Sequence, residues 1–181
     1  MKSARLLLSG IVLLLAAGCS SAAAPEPLLS EYGLEDADAR QVIDRLDQTN
    51  EDRGSGLNAS VTYDAVTVQD SGRESVLPMP GDEFYLSAAP WNTTTHDCFN
   101  HSLTGCQGEL VDAPLQVRIT DDDGAVLVDG AVRTYDNGFV GFWLPKDISG
   151  TLEISAPEGT ATGTFSTFPD SPTCITTLQL V

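Results

Sequence analysis

Positive charge is the scarcest property of this chain. Nine Lys and Arg stand against 26 Asp and Glu, a formal net charge of −17. Such a surface repels phosphate backbones and anionic lipid head groups, which excludes nucleic-acid binding and purely electrostatic attachment to a membrane. Long apolar runs are lacking too. The most extended one, from Leu6 to Ala17 and broken by Ser9 and Gly10, falls short of the roughly 20 residues a spanning helix needs. The motifs GxSxG and HExxH do not occur, so the sequence offers neither a nucleophile elbow nor a zincin helix, and no hydrolase signature. CxxC is also absent, since seven residues separate Cys98 from Cys106, and a thioredoxin-like oxidoreductase is disfavoured.

The apolar run at the start belongs to a leader. Lys2 and Arg5 precede it, and Ala16, Ala17 and Gly18 lead into Cys19. A basic start, a short apolar stretch and small residues before a cysteine form a lipobox. Residues 1–18 are therefore expected to be a lipoprotein signal peptide and Cys19 the lipidated residue. The alternative is an ordinary signal peptide cut after Ala22, Ala23 or Ala24. Residues 19–30, rich in Ala and Pro, are expected to form a flexible tether. Removing the leader takes Lys2 and Arg5 away and leaves seven basic residues against 26 acidic ones, a charge of −19. The expected location is outside the cytoplasm, facing the periplasm or the cell exterior, with a lipid on Cys19 as the membrane contact.

Histidine and cysteine are few and gathered. The only two histidines, His96 and His101, share the segment HDCFNHSLTGC with Cys98 and Cys106, and beyond the leader the one other cysteine is Cys174. With Cys19 acylated, three thiols remain, and an odd number cannot all pair within one chain. They can form a disulfide plus a free thiol, or a single three-thiolate metal site. In the first case a Cys98–Cys106 disulfide closes a small loop and Cys174 is inert, as exported cysteines commonly pair. In the second, soft thiolates with imidazole select Cu(I), or zinc, and set calcium and magnesium aside. His96 and His101 are then auxiliary ligands or the first donors that arriving metal meets. The three-thiolate arrangement requires the sulfurs of Cys98, Cys106 and Cys174 to lie within roughly 4 Å of one another or of a bound ion.

The fold is expected to be mainly β (α+β). In GLEDADARQVIDRLDQ, Leu34, Ala39, Val42, Ile43 and Leu46 fall on one helical stripe, with Glu35, Asp36 and Asp38 in the first turn. From Leu57 the apolar period becomes alternating, with a strand over Ala59 to Val68 and another at Glu83 to Ser87. Beyond the cysteine segment LQVRIT, AVLVDGAVRTY, FVGFWLP, TLEISA, GTFSTF and CITTLQLV read as strands separated by turn signals. Six strands in about 70 residues predict an antiparallel β-sandwich. DDDG at Asp121 to Gly124 reads as a hairpin turn, since the other ligand positions of a calcium loop are missing. The expected organisation is an N-terminal helix plus β region over 31–84 and a C-terminal β-sandwich metal-binding domain over 85–181.

The runs CFNHSLTGCQGEL, DAPLQVRITDDDGAVLVDG, TYDNGFVGFWLPKDISGTLEI and PTCITTLQL, in that order, closely resemble the CueP family of exported copper-binding, copper-resistance proteins. The resemblance spans about residues 31 to 181. It implies a Cu(I) site built from Cys98, Cys106 and Cys174, a role in copper tolerance, supply of copper to an exported superoxide dismutase as client, and reduction of Cu(II) to Cu(I). Cys19 departs from the freely soluble periplasmic form associated with the family. The function expected is stoichiometric copper binding rather than enzymatic turnover. A zinc-binding or disulfide-stabilised structural envelope lipoprotein is the alternative, and the sequence leaves monomer and homodimer equally open.

Overall fold

The computed structural model describes residues 27–181. The leader and Cys19 lie outside the described residues. Two short helices, α1 (Pro27–Glu31) and α2 (Ala39–Asp47), precede ten strands: β1 (Asn58–Val61), β2 (Ala65–Asp70), β3 (Arg73–Pro78), β4 (Glu83–Ala88), β5 (Pro114–Asp121), β6 (Val126–Arg133), β7 (Val140–Pro145), β8 (Ser149–Ala156), β9 (Gly159–Ser166) and β10 (Cys174–Ile175). They form three sheets with orders β1-β2-β3, β10-β4-β7 and β6-β5-β8-β9. The mainly β reading holds.

The last two sheets enclose a sandwich core. Phe84, Leu86 and Ala88 of β4 and Val140, Phe142 and Leu144 of β7 pack with Leu115, Val117, Ile119, Leu152 and Ile154 of the four-stranded sheet. Alternation at period two supplies this face, as at Leu115, Val117 and Ile119 in β5. The sandwich is not wholly antiparallel, because β10 pairs parallel to β4, Cys174 opposite Ser87 and Ile175 opposite Ala88.

A second core joins α1, α2 and the first sheet, with Leu28, Val42, Ile43, Leu46, Val61, Val66 and Val68 at its centre. Helix α2 starts later than the apolar stripe suggested. Asp38 is its N-cap, accepting from the Gln41 amide at 2.9 Å while the Gln41 side chain accepts from the Asp38 amide at 2.9 Å. This capping box fixes the start at Ala39, so Leu34 reaches the core from the preceding turn and Glu35 and Asp36 lie outside the helix. The stretch read as a tether to residue 30 is helical from Pro27, and Leu28 and Leu29 are buried. The run Ala59 to Val68, read as one strand, is the hairpin β1–β2, with β3 completing the sheet.

Strand β4 belongs to both cores. Phe84, Leu86 and Ala88 face the sandwich, while Tyr85 packs into the helical core, its ring 4.9 Å from that of Trp143. A boundary at 84/85 therefore falls inside one strand whose two faces serve the two cores. The DDDG turn joins β5 to β6 as a hairpin, with the Ala125 amide donating to Asp121 Oδ1 at 2.7 Å.

Candidate metal centre

Between β4 and β5 the chain runs through the His- and Cys-bearing segment, which docks on both cores. The Val61 amide donates to the His101 carbonyl at 2.9 Å and the Leu103 amide to the Ala59 carbonyl at 2.8 Å, so residues 101–103 extend the first sheet beyond β1. On the other side the Thr173 amide donates to the Phe99 carbonyl and the His101 amide to Thr173 Oγ1, both at 2.9 Å. Thr173 precedes Cys174, and this pairing brings the last cysteine to the first two. Further along, Gly108 passes directly over Gly138. A Cβ on either glycine would overlap the other's backbone, and Gly138 has φ 79°, a conformation glycine adopts without steric cost.

The result is a small third cluster at the junction of the two cores, made of Ala89, Phe139 and Cys174 with Cys98 and Cys106 against them. One ligand atom from each of Cys98, His101, Cys106 and Cys174 lies within 4.8 Å of all the others. Cys98 and Cys174 are joined by a disulfide, and Cys106 is the free cysteine among the described residues. The Cys106 sulfur is 3.3 Å from that of Cys98 and accepts from the Ser102 amide at 3.4 Å. The pairing of Cys98 with Cys106, natural from their spacing, is replaced by a pairing across the fold, because Thr173 docks on the backbone beside Cys98.

His101 is fully buried. Its Nε2 lies 2.6 Å from Asp47 Oδ1, and Asp47 also accepts from Asn137 Nδ2 at 2.6 Å and from the Tyr85 hydroxyl at 2.5 Å. His101 Nδ1 has no hydrogen-bond partner of normal geometry. With Nε2 engaged, Nδ1 is the atom left for the cluster. Burial opposes charge on this ring, yet the Asp47 carboxylate and the Cys106 sulfur together raise it to about 9. Burial also pushes the Cys106 thiol up, but His101, a hydrogen bond from His96 and the Ser102 amide outweigh it and lower the thiol to about 7. Burial, then the Asp47 charge, hold the Tyr85 hydroxyl protonated well above its ordinary range.

His96 stands apart from this group. It is exposed, its ring centroid is 6.1 Å from that of Phe139, and it reaches the Cys106 thiol from the solvent side. The preceding residues are clamped by Glu109, which accepts from the amides of Asn92, Thr93 and Thr94 at 2.7, 2.9 and 3.2 Å. Three sulfurs and one imidazole nitrogen, partly screened from water, make a soft donor set suited to a thiophilic ion.

The family model described as periplasmic copper-binding protein CueP matches residues 41–179, a span that contains every residue of this cluster. This chain belongs to the CueP family. A solved structure described as the crystal structure of S.CueP is similar to it at 42% identity with a TM-score of 0.83, over 88% of this chain and 99% of that one. The comparison with curated proteins gives no match. Membership makes this a copper-binding protein of an exported, periplasmic family. Among the described residues no helix is long and apolar enough to cross a membrane.

Of the five candidate ligands that the sequence singles out, Cys98, His101, Cys106 and Cys174 converge and His96 occupies the rim. Sequence reasoning missed Asp47, Tyr85, Asn137 and Arg53. For Asp47 a signal existed. It falls four residues after Ile43 on the buried stripe of α2 and is itself fully buried, and an acid on an apolar stripe needs a partner.

Proposed function

We propose that this protein is an extracytoplasmic lipoprotein that sequesters one Cu(I) through the thiolates of Cys98, Cys106 and Cys174, with His101 Nδ1 as a further ligand. The observation that carries the reading is the mutual approach of these four ligand atoms within 4.8 Å. Thiolate is the softest side-chain donor, so such a set favours Cu(I) over Cu(II). His96, outside the group but beside Cys106, is the donor an arriving ion meets first. The acidic surface raises the concentration of cations around it.

Redox chemistry gates the site. In the disulfide form one thiol is available, whereas the reduced form offers three from side chains already in place. As a dithiol, Cys98 and Cys174 supply two electrons, one to each of two Cu(II) ions, releasing two protons as their S–S bond forms. Each such event consumes the dithiol, and an external thiol reductant must restore it. The chemistry is therefore stoichiometric binding with attached reduction, in service of copper tolerance or delivery to an exported cuproprotein. Acylation of Cys19 holds the site at the outer side of a membrane.

Anaerobic titration tests this. The reduced domain should take up one equivalent of Cu(I), with three thiols protected from alkylation. The oxidised domain should protect at most one. Equal or stronger retention of zinc by the reduced protein, or Cu(I) uptake that leaves the thiols reactive, would overturn the proposal in favour of a zinc-binding or disulfide-stabilised structural role.

A further inference from the structure

Asp47 is a buried carboxylate at a place where local physics disfavours one. It is the last residue of α2, where the negative end of the helix dipole repels an anion, and its side chain is fully buried. Three donors from three other parts of the fold converge on it. Asn137 Nδ2 and His101 Nε2 each lie 2.6 Å from Oδ1, and the Tyr85 hydroxyl lies 2.5 Å from Oδ2. Asn137 is fixed in turn, since its Oδ1 accepts from the Phe139 amide at 2.9 Å. Room for the Tyr85 hydroxyl comes from Gly141, where any Cβ would collide with it.

Such a carboxylate only accepts, so His101 must donate from Nε2, and in the neutral ring that a metal requires the lone pair is then on Nδ1. Nδ1 has no hydrogen-bond partner of normal geometry, and one ring nitrogen of His101 lies within 4.8 Å of the sulfurs of Cys98, Cys106 and Cys174. Resting on the copper reading above, we infer that Asp47 is a positioning residue of the metal site, which holds the Nε2–H of His101 and thereby presents Nδ1 to the ion bound by the three cysteines. A ligating histidine whose other nitrogen donates to a carboxylate is fixed in tautomer and ring orientation and is the more basic ligand for it. The same contacts tie α2, β4 and the turn before β7 to the ligand segment. The N-terminal region is thus part of the metal site through Asp47, although it supplies no ligand atom to the cluster.

The test is ¹⁵N NMR of the histidine rings in the reduced full-length mature domain, copper-free and loaded with Cu(I). The Nε2-bound proton of His101 should persist in both states, while the Nδ1 resonance alone should shift on loading. In Asp47→Asn that proton should exchange faster with solvent, and Cu(I) affinity in chelator competition should fall by about 10- to 100-fold, with all three thiols still protected by copper. A bare Nε2 in either state of the wild type would overturn the inference. So would an Asp47→Asn protein with unchanged ring signals and unchanged affinity. Should that variant fail to fold, Tyr85→Phe removes a single donor from Asp47 and should move both readouts in the same direction by less. If the reduced wild type binds no Cu(I), the copper reading falls, whereas an Nε2–H in the copper-free spectrum still supports the hold of Asp47 on the ring.

Discussion

Arg53 holds Cys106 by its backbone. Nη2 donates to the Cys106 carbonyl at 2.7 Å and Nη1 to the Gly105 carbonyl at 3.1 Å. Its Nε donates to Asn50 Oδ1 at 3.2 Å, and Asn50 Nδ2 reaches the Asp136 carbonyl at 2.7 Å. The turn after α2 therefore staples the ligand segment on one side and the approach to Asn137 on the other. In a segment without regular secondary structure, such outside contacts are what keep a sulfur in place.

Arg53→Ala removes both contacts to the Cys106 turn. The side chain is exposed, so the expected loss of stability is about 1 kcal/mol, a fall in Tm of about 2–4 °C for a chain of this size. Cu(I) affinity should drop severalfold. Thermal denaturation and chelator competition read the two effects, and unchanged amide exchange at residues 104–107 would show that the turn stands without Arg53.

The two histidines should separate cleanly. His101→Ala leaves the Asp47 carboxylate buried without its ring partner and should cost about 3–5 kcal/mol in urea denaturation. His96→Ala at the exposed rim should stay within about 0.5 kcal/mol of wild type. Replacing both should lower Cu(I) affinity by at least the roughly 10- to 100-fold expected when the hold on His101 is lost, yet leave Cu(I) bound by the three sulfurs, because thiolate is the softer donor. Complete loss of Cu(I) binding in a folded double variant would make the histidines, and not the sulfurs, the principal ligands.

Alkylation of the free thiol in the oxidised protein should follow pH with a midpoint near the lowered value of about 7, because only the thiolate reacts. A midpoint near the ordinary 9 would refute the coupling to His101. Stability responds in two opposed senses. The lowered Cys106 thiol contributes above its unfolded value of 9.0 and loses that contribution as pH falls through about 7. The raised His101 contributes fully below its unfolded value of 6.5 and loses that contribution as pH rises through about 9. His101→Ala should abolish the second dependence and weaken the first, to which His96 and the Ser102 amide still contribute, and denaturant titrations between pH 6 and pH 10 will show both changes.

Cys19→Ala should block lipid attachment, read by metabolic lipid labelling and membrane fractionation, while a purified domain beginning at Glu26 should bind Cu(I) undiminished. Loss of copper binding by that domain would make Cys19 a ligand and end the lipidation reading with it. A domain beginning after Glu31 should fare worse. It loses the burial of Leu28 and Leu29, each worth about 1.5–3 kcal/mol.

The sequence by itself determined which soft donors are candidates for the site and what class of fold carries them. Soft ligands are too rare in this chain to gather by accident, and period-two alternation at Leu115, Val117 and Ile119 is a local property written one residue at a time. Tertiary structure decided how those residues are used. Cys98 pairs with Cys174 rather than with its near neighbour Cys106, because the Thr173 amide docks on the Phe99 carbonyl, a contact no local pattern encodes. His101 lies inside and His96 outside because only His101 continues the first sheet beside Ala59 and Val61 and meets Asp47. Asp47, Asn137 and Tyr85 come from distant parts of the chain, and their use depends on β4 turning its two faces to two cores. Spacing along a chain reports which groups can share a face, but which nitrogen of a ring is left free for a ligand is fixed by the partner that takes the other one.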